Sequence, residues 1–507
     1  MNDIKITVES IKSVAPKFKP GEQWGGYAQR PWLKKDKKRV TVLFSFVERR
    51  KSYFLRAYFK RNGYKYLDMG DHVKEDVRYG KEYGNRAECN PMYFTSGSLI
   101  RHLLNIEKET GMSREEISEK YVFLGGGGQC GPCRYGMYPA EYAKVANDAG
   151  FKNFRVLIFS SDIQEDINND NPKEKLAFNF HLLFRINLAI AFILADIVHA
   201  ADCAIRPYAE DKEHLDRVLH DVEKILLKAF ESRLYLIKIP LALKKAGKML
   251  GKVSKKNISL PLIYVTGEFF ANLAHNDGNY HLRKFISNEG CEVIPGSFTQ
   301  RALYDNWRRT IEAKRGIKYA QDAKEIKFYT KSLKKQKAST VVITYLYNKY
   351  VKAINPAQFG GRTELVDLDE MGRLAKGLYN PEIFGGEGHL EVAEAVHYAK
   401  EVDGFISSKP FGCMPSSGVS DGVQAKVMSM YPELNFLSIE TSGDNDVNIL
   451  SRVSMLLLKA GQIHKDRMST VDQREQVSIS HADDADAIAI LDDLSSDRKS
   501  VPSLASE

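Results

Sequence analysis

The chain has 507 residues, of which 43% are hydrophobic and 27% charged, so it carries ample apolar material for a large core. At roughly 100–200 residues per domain this length predicts two to four domains. The composition excludes a disordered chain, a small disulfide-stapled scaffold and a collagen-like or coiled-coil rod. The net charge of +9 is unevenly placed: residues 465–507 hold 5 basic and 10 acidic side chains, which leaves 69 minus 55, or +14, on the rest. Such a body would attract anionic partners such as nucleotides, coenzyme A thioesters or an acidic protein. No aromatic and basic interleaving of the RNP type is present, so nucleic acid is not an expected partner. The most apolar stretch, Ile186–Ala195, contains Asn187 and lies between Arg185 and Asp196. It falls short of the roughly 20 residues a bilayer span needs, so no membrane partner is expected. Met1–Lys17 has no apolar leader segment, which predicts a cytoplasmic location.

Residues 1–37, with Pro16, Pro20, Gly21 and Pro31, read as an irregular arm. A first α/β lobe is expected over 38–165: strand Lys38–Phe46, helix Tyr53–Asn62, strand Tyr66–Met69, helix Tyr93–Ile106, strand Lys120–Leu124, helix Pro139–Ala149 and strand Asn153–Ser160. A helical insert follows over 166–256, with helices at Leu176–Ala201, His214–Ser232 and Leu241–Leu250. A second α/β lobe spans 257–464. It opens with the strand pattern Ser259–Phe270, a helix at Tyr280–Asn288 and a strand at Cys291–Ile294, and carries its own helical insert at about 299–378. It closes with helix His389–Lys400, strand Gly404–Ser407, helix Val423–Met430, strand Phe436–Ile439 and helix Val447–Ala460. Residues 465–507 read as a flexible acidic tail. The predicted class is α/β: two doubly wound, flavodoxin-like lobes with parallel sheets and ligands at the carboxyl ends of the strands.

Six cysteines are too few for a disulfide framework in a chain this long. Cys203 in a helical run and Cys291 at an apolar strand read as core residues. Cys89, Cys133 and Cys413 each sit at a loop-to-helix junction after a strand, in ECNPMYFTSGSL, GGGGQCGPCRYGMYP and KPFGCMPSSGVSDG. Helix starts stabilise thiolates, and in a doubly wound fold these junctions share a rim, so three distant thiols can converge on a metal or iron–sulfur group. Cys130-Gly131-Pro132-Cys133 also reads as a redox dithiol, although Gln129 and four glycines precede it.

These segments, with IRPY (Ile205–Tyr208), VTGEFF (Val265–Phe270), GGEGHL (Gly385–Leu390) and FLSIETSGDNDVN (Phe436–Asn448), resemble the 2-hydroxyglutaryl-CoA dehydratase / benzoyl-CoA reductase superfamily over about Val40–Ala460. The match is to the cluster-carrying part of its large activase-related proteins. The resemblance implies an oxygen-sensitive [4Fe–4S] or double-cubane-type cluster held between two α/β lobes. Cys89, Cys133 and Cys413 take the ligand positions, and Cys130, outside the family's regular ligand positions, is left as a fourth ligand, a thiol behind the ligands or a spectator. Read from its place beside Cys133, Arg134 would stabilise thiolate and cluster charge or form a plain salt bridge. The resemblance further implies an iron–sulfur component of an ATP-dependent reductase or 2-hydroxyacyl-CoA dehydratase system, passing low-potential electrons to an acyl-CoA or other small substrate or to a partner subunit. Homo- or heterodimers are part of that expectation. The family's nucleotide-binding domain is not found in this sequence, and the Gly125–Gly128 run lacks a following Lys, so a separate ATP-hydrolysing activator is expected.

Among other residues, Glu268 and His389 are candidate acid/base groups, with His397 two turns beyond His389; Asp421 is a candidate helix cap. The contrasting expectations are a non-catalytic scaffold or regulatory subunit with a structural metal, and a thiol–disulfide exchanger at Cys130 and Cys133.

Overall fold

The computed structural model describes residues 32–44, 47–127, 133–158, 178, 182–382 and 386–481. The arm up to residue 31, the sequence around Cys130 and the chain after 481 lie outside the described residues.

The first lobe is built from β1 (Thr41–Phe44), α1 (Arg49–Arg61), β2 (Lys65–Asp68), α2 (Lys74–Tyr83), α3 (Asn90–Thr110), α4 (Arg114–Lys120), β3 (Tyr121–Gly125), α5 (Tyr138–Asp148) and β4 (Arg155–Ile158). Its four strands are parallel in the order β2-β1-β3-β4, with Val42 opposite both Tyr66 and Val122. A parallel sheet covered on both faces needs apolar residues on both sides of its strands, and Val42, Leu43 and Phe44 are all buried. One face is covered by α3, α4 and α5 through residues such as Leu99, Ile117 and Val145. The other is covered by α1 and by three helices of the expected insert: α6 (Leu182–Ile205), α7 (Lys212–Glu231) and α8 (Tyr235–Leu250).

The second lobe repeats the plan. Strand β5 (Leu262–Gly267) leads through α9 (Phe269–Leu273) and α10 (Leu282–Asn288) to β6 (Glu292–Val293). Next comes a helical hairpin, α11 (Phe298–Tyr319) and α12 (Ala323–Ile354), then α13 (Leu368–Ala375) and α14 (Gly388–Tyr398). The lobe ends with β7 (Gly404–Pro410), α15 (Asp421–Met430), β8 (Phe436–Thr441) and α16 (Asp446–His481). Its strands are parallel in the order β6-β5-β7-β8, the same order as in the first lobe. The expected fold class, two doubly wound α/β lobes with helical inserts, is the observed one. Leu346, Tyr347, Tyr350 and Ile354 of α12 join the core beneath α6, α7 and α8, so the two helical inserts share one apolar cluster.

Several elements differ from the expectations. The run read as too short to span a membrane extends into α6, 24 residues long and apolar enough by length and composition to do so, but 78% of its most apolar window is buried inside the fold. Its Asp196 is spent internally, accepting from Phe298 N at 3.1 Å, Thr299 N at 2.7 Å and Ser297 Oγ at 2.9 Å. The sequence pattern does not predict helix α2, because KEDVRYGKEY is charged and contains glycine. Gly80 is there for packing, since a Cβ would stand 2.0 Å from Tyr93 O on α3. Helix α16 runs through Gly461 to His481, so the first part of the expected tail is helical. Gly461 is tolerated within the helix because good helix formers follow it and no proline does.

The lobes meet with their strand ends facing one another. Val47, Val77 and Phe94 of the first lobe and Phe270, Leu273, Ala274 and Phe298 of the second form an apolar cluster at the junction. Hydrogen bonds cross it too: the side-chain Asn276 Nδ2 donates to Val47 O at 2.9 Å, and the backbone Asn90 N donates to Phe411 O at 2.9 Å.

Candidate functional site

In doubly wound sheets the crevice lies where strand order reverses, outside the carboxyl ends. Here those points are β1/β3 in one lobe and β5/β7 in the other. Cys133 follows β3, Glu268 follows β5 directly and Cys413 follows β7, while Cys89 caps α3 on the β2-to-β3 crossover.

The structure brings the three sequence-predicted cysteines to one interlobe position. Gly412, at φ +77°, has the space its Cβ would occupy within 3.1 Å of Glu88 O and 3.3 Å of Cys89 Cα, so the loop carrying Cys413 lies against the loop carrying Cys89. The Asn90-to-Phe411 bond fixes that approach. Cys89 and Cys413 are buried and Cys133 is half-buried. Cys89 Sγ lies 3.0 Å from Tyr138 Oη, and Cys413 Sγ lies 3.3 Å from Ser416 Oγ. Burial raises all three thiols, Cys89 to about 11, Cys133 to about 12 and Cys413 the most. The charge of Glu268 acts on each of them, and that of Cys89 on Cys133. The apo thiols are therefore neutral at pH 7.

Glu268 is both a cap and a member of the site. Its Oε2 accepts from Phe270 N at 3.0 Å and Ala271 N at 3.1 Å at the start of α9. Burial, with Glu387 and Glu391 nearby, still raises it to about 8, against the lowering effect of those two bonds. Gly267 makes this position possible: at φ +131° its Cβ would fall 1.7 Å from Ser408 O on β7. His389 is buried beside Trp307 and Tyr304, and burial lowers it to about 4, so it is a neutral imidazole. Its Nδ1 lies 3.4 Å from Tyr304 Oη. His397 packs on Tyr398 instead and is not brought to this group. Arg134 is half-buried, and its charge partly opposes the rise that burial and Glu141 impose on Glu88, so it sits on the cysteine side of the site. Asp421 is not the expected cap: it is the first residue of α15, continuous with the π turn Ser416–Ser420, and its carboxylate pairs with Lys409 of β7. Cys203 and Cys291 are buried together in the second lobe's core, as expected, although Cys203 Sγ also lies 3.5 Å from His199 Nε2. Cys130 lies outside the described residues.

Sequence reasoning missed the residues that make the chemistry beside the thiols. A cavity of about 90 Å³ opens at the carboxyl ends of β5 and β6. Its walls include Thr266, Arg301, Glu387, Glu391 and Glu394. At roughly 10–15 Å³ of such space per water it has room for several waters. Burial raises Glu391 to about 8 and Glu394 to about 7. Burial raises Glu387 as well, although Arg301 pairs with it. Glu391 Oε1 accepts from Ser416 Oγ at 2.7 Å, and the same hydroxyl accepts from Cys413 Sγ, so the carboxyl row is joined to the thiol site through one side chain. The available signal was the spacing of residues 387, 391 and 394, which puts three glutamates on one helix face.

Compared with known protein families the chain matches no family model, and no curated protein matches it. Among the described residues, no three His, Cys, Asp or Glu side chains are grouped to hold a single metal ion. Ligands of an iron–sulfur cluster each bind a different iron and so stand further apart than the ligands of one ion. Three cysteines converging from both lobes on a partly dry interface, among carboxyls that stay protonated, are a donor set that fits such a cluster.

Proposed function

We propose that this chain is an iron–sulfur electron-transfer component of the 2-hydroxyacyl-CoA dehydratase / benzoyl-CoA reductase type, with Cys89, Cys133 and Cys413 as cluster ligands. The observation that supports it is the approach of the loops carrying these three cysteines, 44 and 280 residues apart in sequence, where the strand ends of two lobes face each other. When bound, the cluster supplies one-electron chemistry at low potential. The protein's own residues exclude water, offer the thiols and hold protons. Glu268, Glu391 and Glu394, raised to about 8, 8 and 7, keep protons near neutral pH and can release them to a group that gains negative charge nearby. Tyr138 Oη is placed to hydrogen-bond the Cys89 sulfur, which would tune a thiolate-ligated centre, and Ser416 Oγ links Cys413 to the carboxyl of Glu391. Electrons would come from a separate ATP-hydrolysing activator, and the acceptor would be an acyl-CoA, another small substrate or a partner subunit.

A scaffold holding one zinc would need ligands grouped around a single ion.

The test is purification without oxygen. The account expects a brown protein with broad visible absorption, bleached by Cys89→Ser, Cys133→Ser or Cys413→Ser and retained in Cys203→Ser. A colourless protein, or colour that survives all three ligand substitutions, would overturn it.

A further inference from the structure

Between Glu231 and Glu268 the chain contains no acidic residue, while Arg233, Lys238, Lys244, Lys245, Lys248, Lys252, Lys255 and Lys256 fall within that interval. Much of it is α8, whose inner face, Ile239, Leu243, Ala246 and Leu250, is buried against α12 and the shared core. At about 100° per residue the side directly opposite carries Leu234, Ile237 and Leu241, then Lys244, Lys245 and Lys248. Leu234, Ile237 and Leu241 are 62%, 64% and 64% exposed, and Leu236 is 48% exposed. A soluble surface normally carries its large aliphatic residues singly, and four on one helix end need a reason.

We propose that this face of α8 is a peripheral docking surface for an anionic lipid bilayer. Exposed leucine and isoleucine at one end of a helix can enter the acyl boundary, while lysines along the rest stay at the headgroups. Charge excludes a second copy and a neutral partner, and the exposed aliphatic end favours a bilayer over an acidic polypeptide. A second copy of the same face would bring two sets of cations together, and a neutral apolar partner would leave the lysines without counter-charge. The earlier expectation of no membrane partner rested on the lack of a spanning segment, and a helix that lies on a surface needs none. The surface lies outside the cysteine site, and the inference does not depend on the iron–sulfur reading.

The experiment is flotation of the full chain with vesicles of phosphatidylcholine alone or of phosphatidylcholine mixed with phosphatidylserine, at low and high salt. The expected result is a bound fraction about tenfold higher or more on the anionic vesicles, falling with salt. Ile237→Ser/Leu241→Ser and Lys244→Glu/Lys245→Glu/Lys248→Glu should each remove most of that gain while leaving the thermal melt unchanged, since these side chains are exposed. Equal binding to both vesicles would overturn the proposal, as would binding that both variants retain. Two further results would do the same in the absence of vesicle binding: a dimer dissolved by the aliphatic variant, which would assign the face to a second copy, or capture by polyglutamate, which would assign it to an acidic polypeptide.

Discussion

Burial sets the chemistry of single side chains at this site. Glu391 is raised to about 8 in the fold against an ordinary value of 4.5, so the folded chain binds a proton that the unfolded chain has already lost across that interval. Stability from such a group is fully present below about 4.5 and is lost as pH rises through about 8. The apo protein should therefore melt at progressively lower temperature from pH 6 to pH 8.5, at up to about 1.4 kcal/mol per pH unit for each such group. Glu391→Gln should flatten the slope and raise stability at the alkaline end, and a melting temperature that climbs over this range would contradict the assignment. Gly267 makes a second prediction. With a φ of +131° and no room beside Ser408 O, Gly267→Ala should cost about 3 kcal/mol or more in urea unfolding. The three cysteines were legible because glycine, proline and serine surround them at helix starts; Cys133 and Cys413 follow strands as expected, whereas Cys89 follows helix α2, whose charged sequence hid it. Glu387, Glu391 and Glu394 were not, because on paper their spacing reads as the solvated stripe of an amphipathic helix. Only the packing of α14 over β5 and β7 turns that stripe inward.

Helices and strands show the same division. Short strands such as Thr41–Phe44 and Tyr121–Gly125 were readable from β-branched and aromatic runs bounded by turns, and the α/β rhythm carried the class. The α2–α3 pair was half hidden, since its close crossing depends on Gly80 and Gly97, and glycine within a helical pattern reads as a break. Helix α6 read as an apolar helix with polar interruptions. Asp196, one of those interruptions, holds the start of α11, whose first turns line the carboxyl-rich cavity. Asp196→Ala should destabilise by about 2–3 kcal/mol, the cost of a lost cap and of buried donors left without a partner, and Asp196→Asn should recover part of it. A loss below about 0.5 kcal/mol in chemical denaturation would show that α11 is held some other way.

At the scale of the molecule, two lobes of identical strand order face each other and place their crevices at one junction. No pattern in the sequence states that the two rims oppose one another; it follows from long-range packing at Phe94, Phe270 and Phe298. Phe270→Ala should cost about 3–5 kcal/mol by opening a cavity there. It should also raise hydrogen exchange at the Asn90 amide, which bridges to Phe411 across the junction. Unchanged protection at Asn90 would separate the junction's apolar cluster from the cysteine loops.

The most direct measurement is EPR of the dithionite-reduced full chain prepared without oxygen, with iron and acid-labile sulfide determined on the same sample. The account predicts iron and sulfide together, a paramagnetic signal in the native protein and its loss in Cys133→Ser. Iron and sulfide near zero in a folded anoxic sample would contradict it.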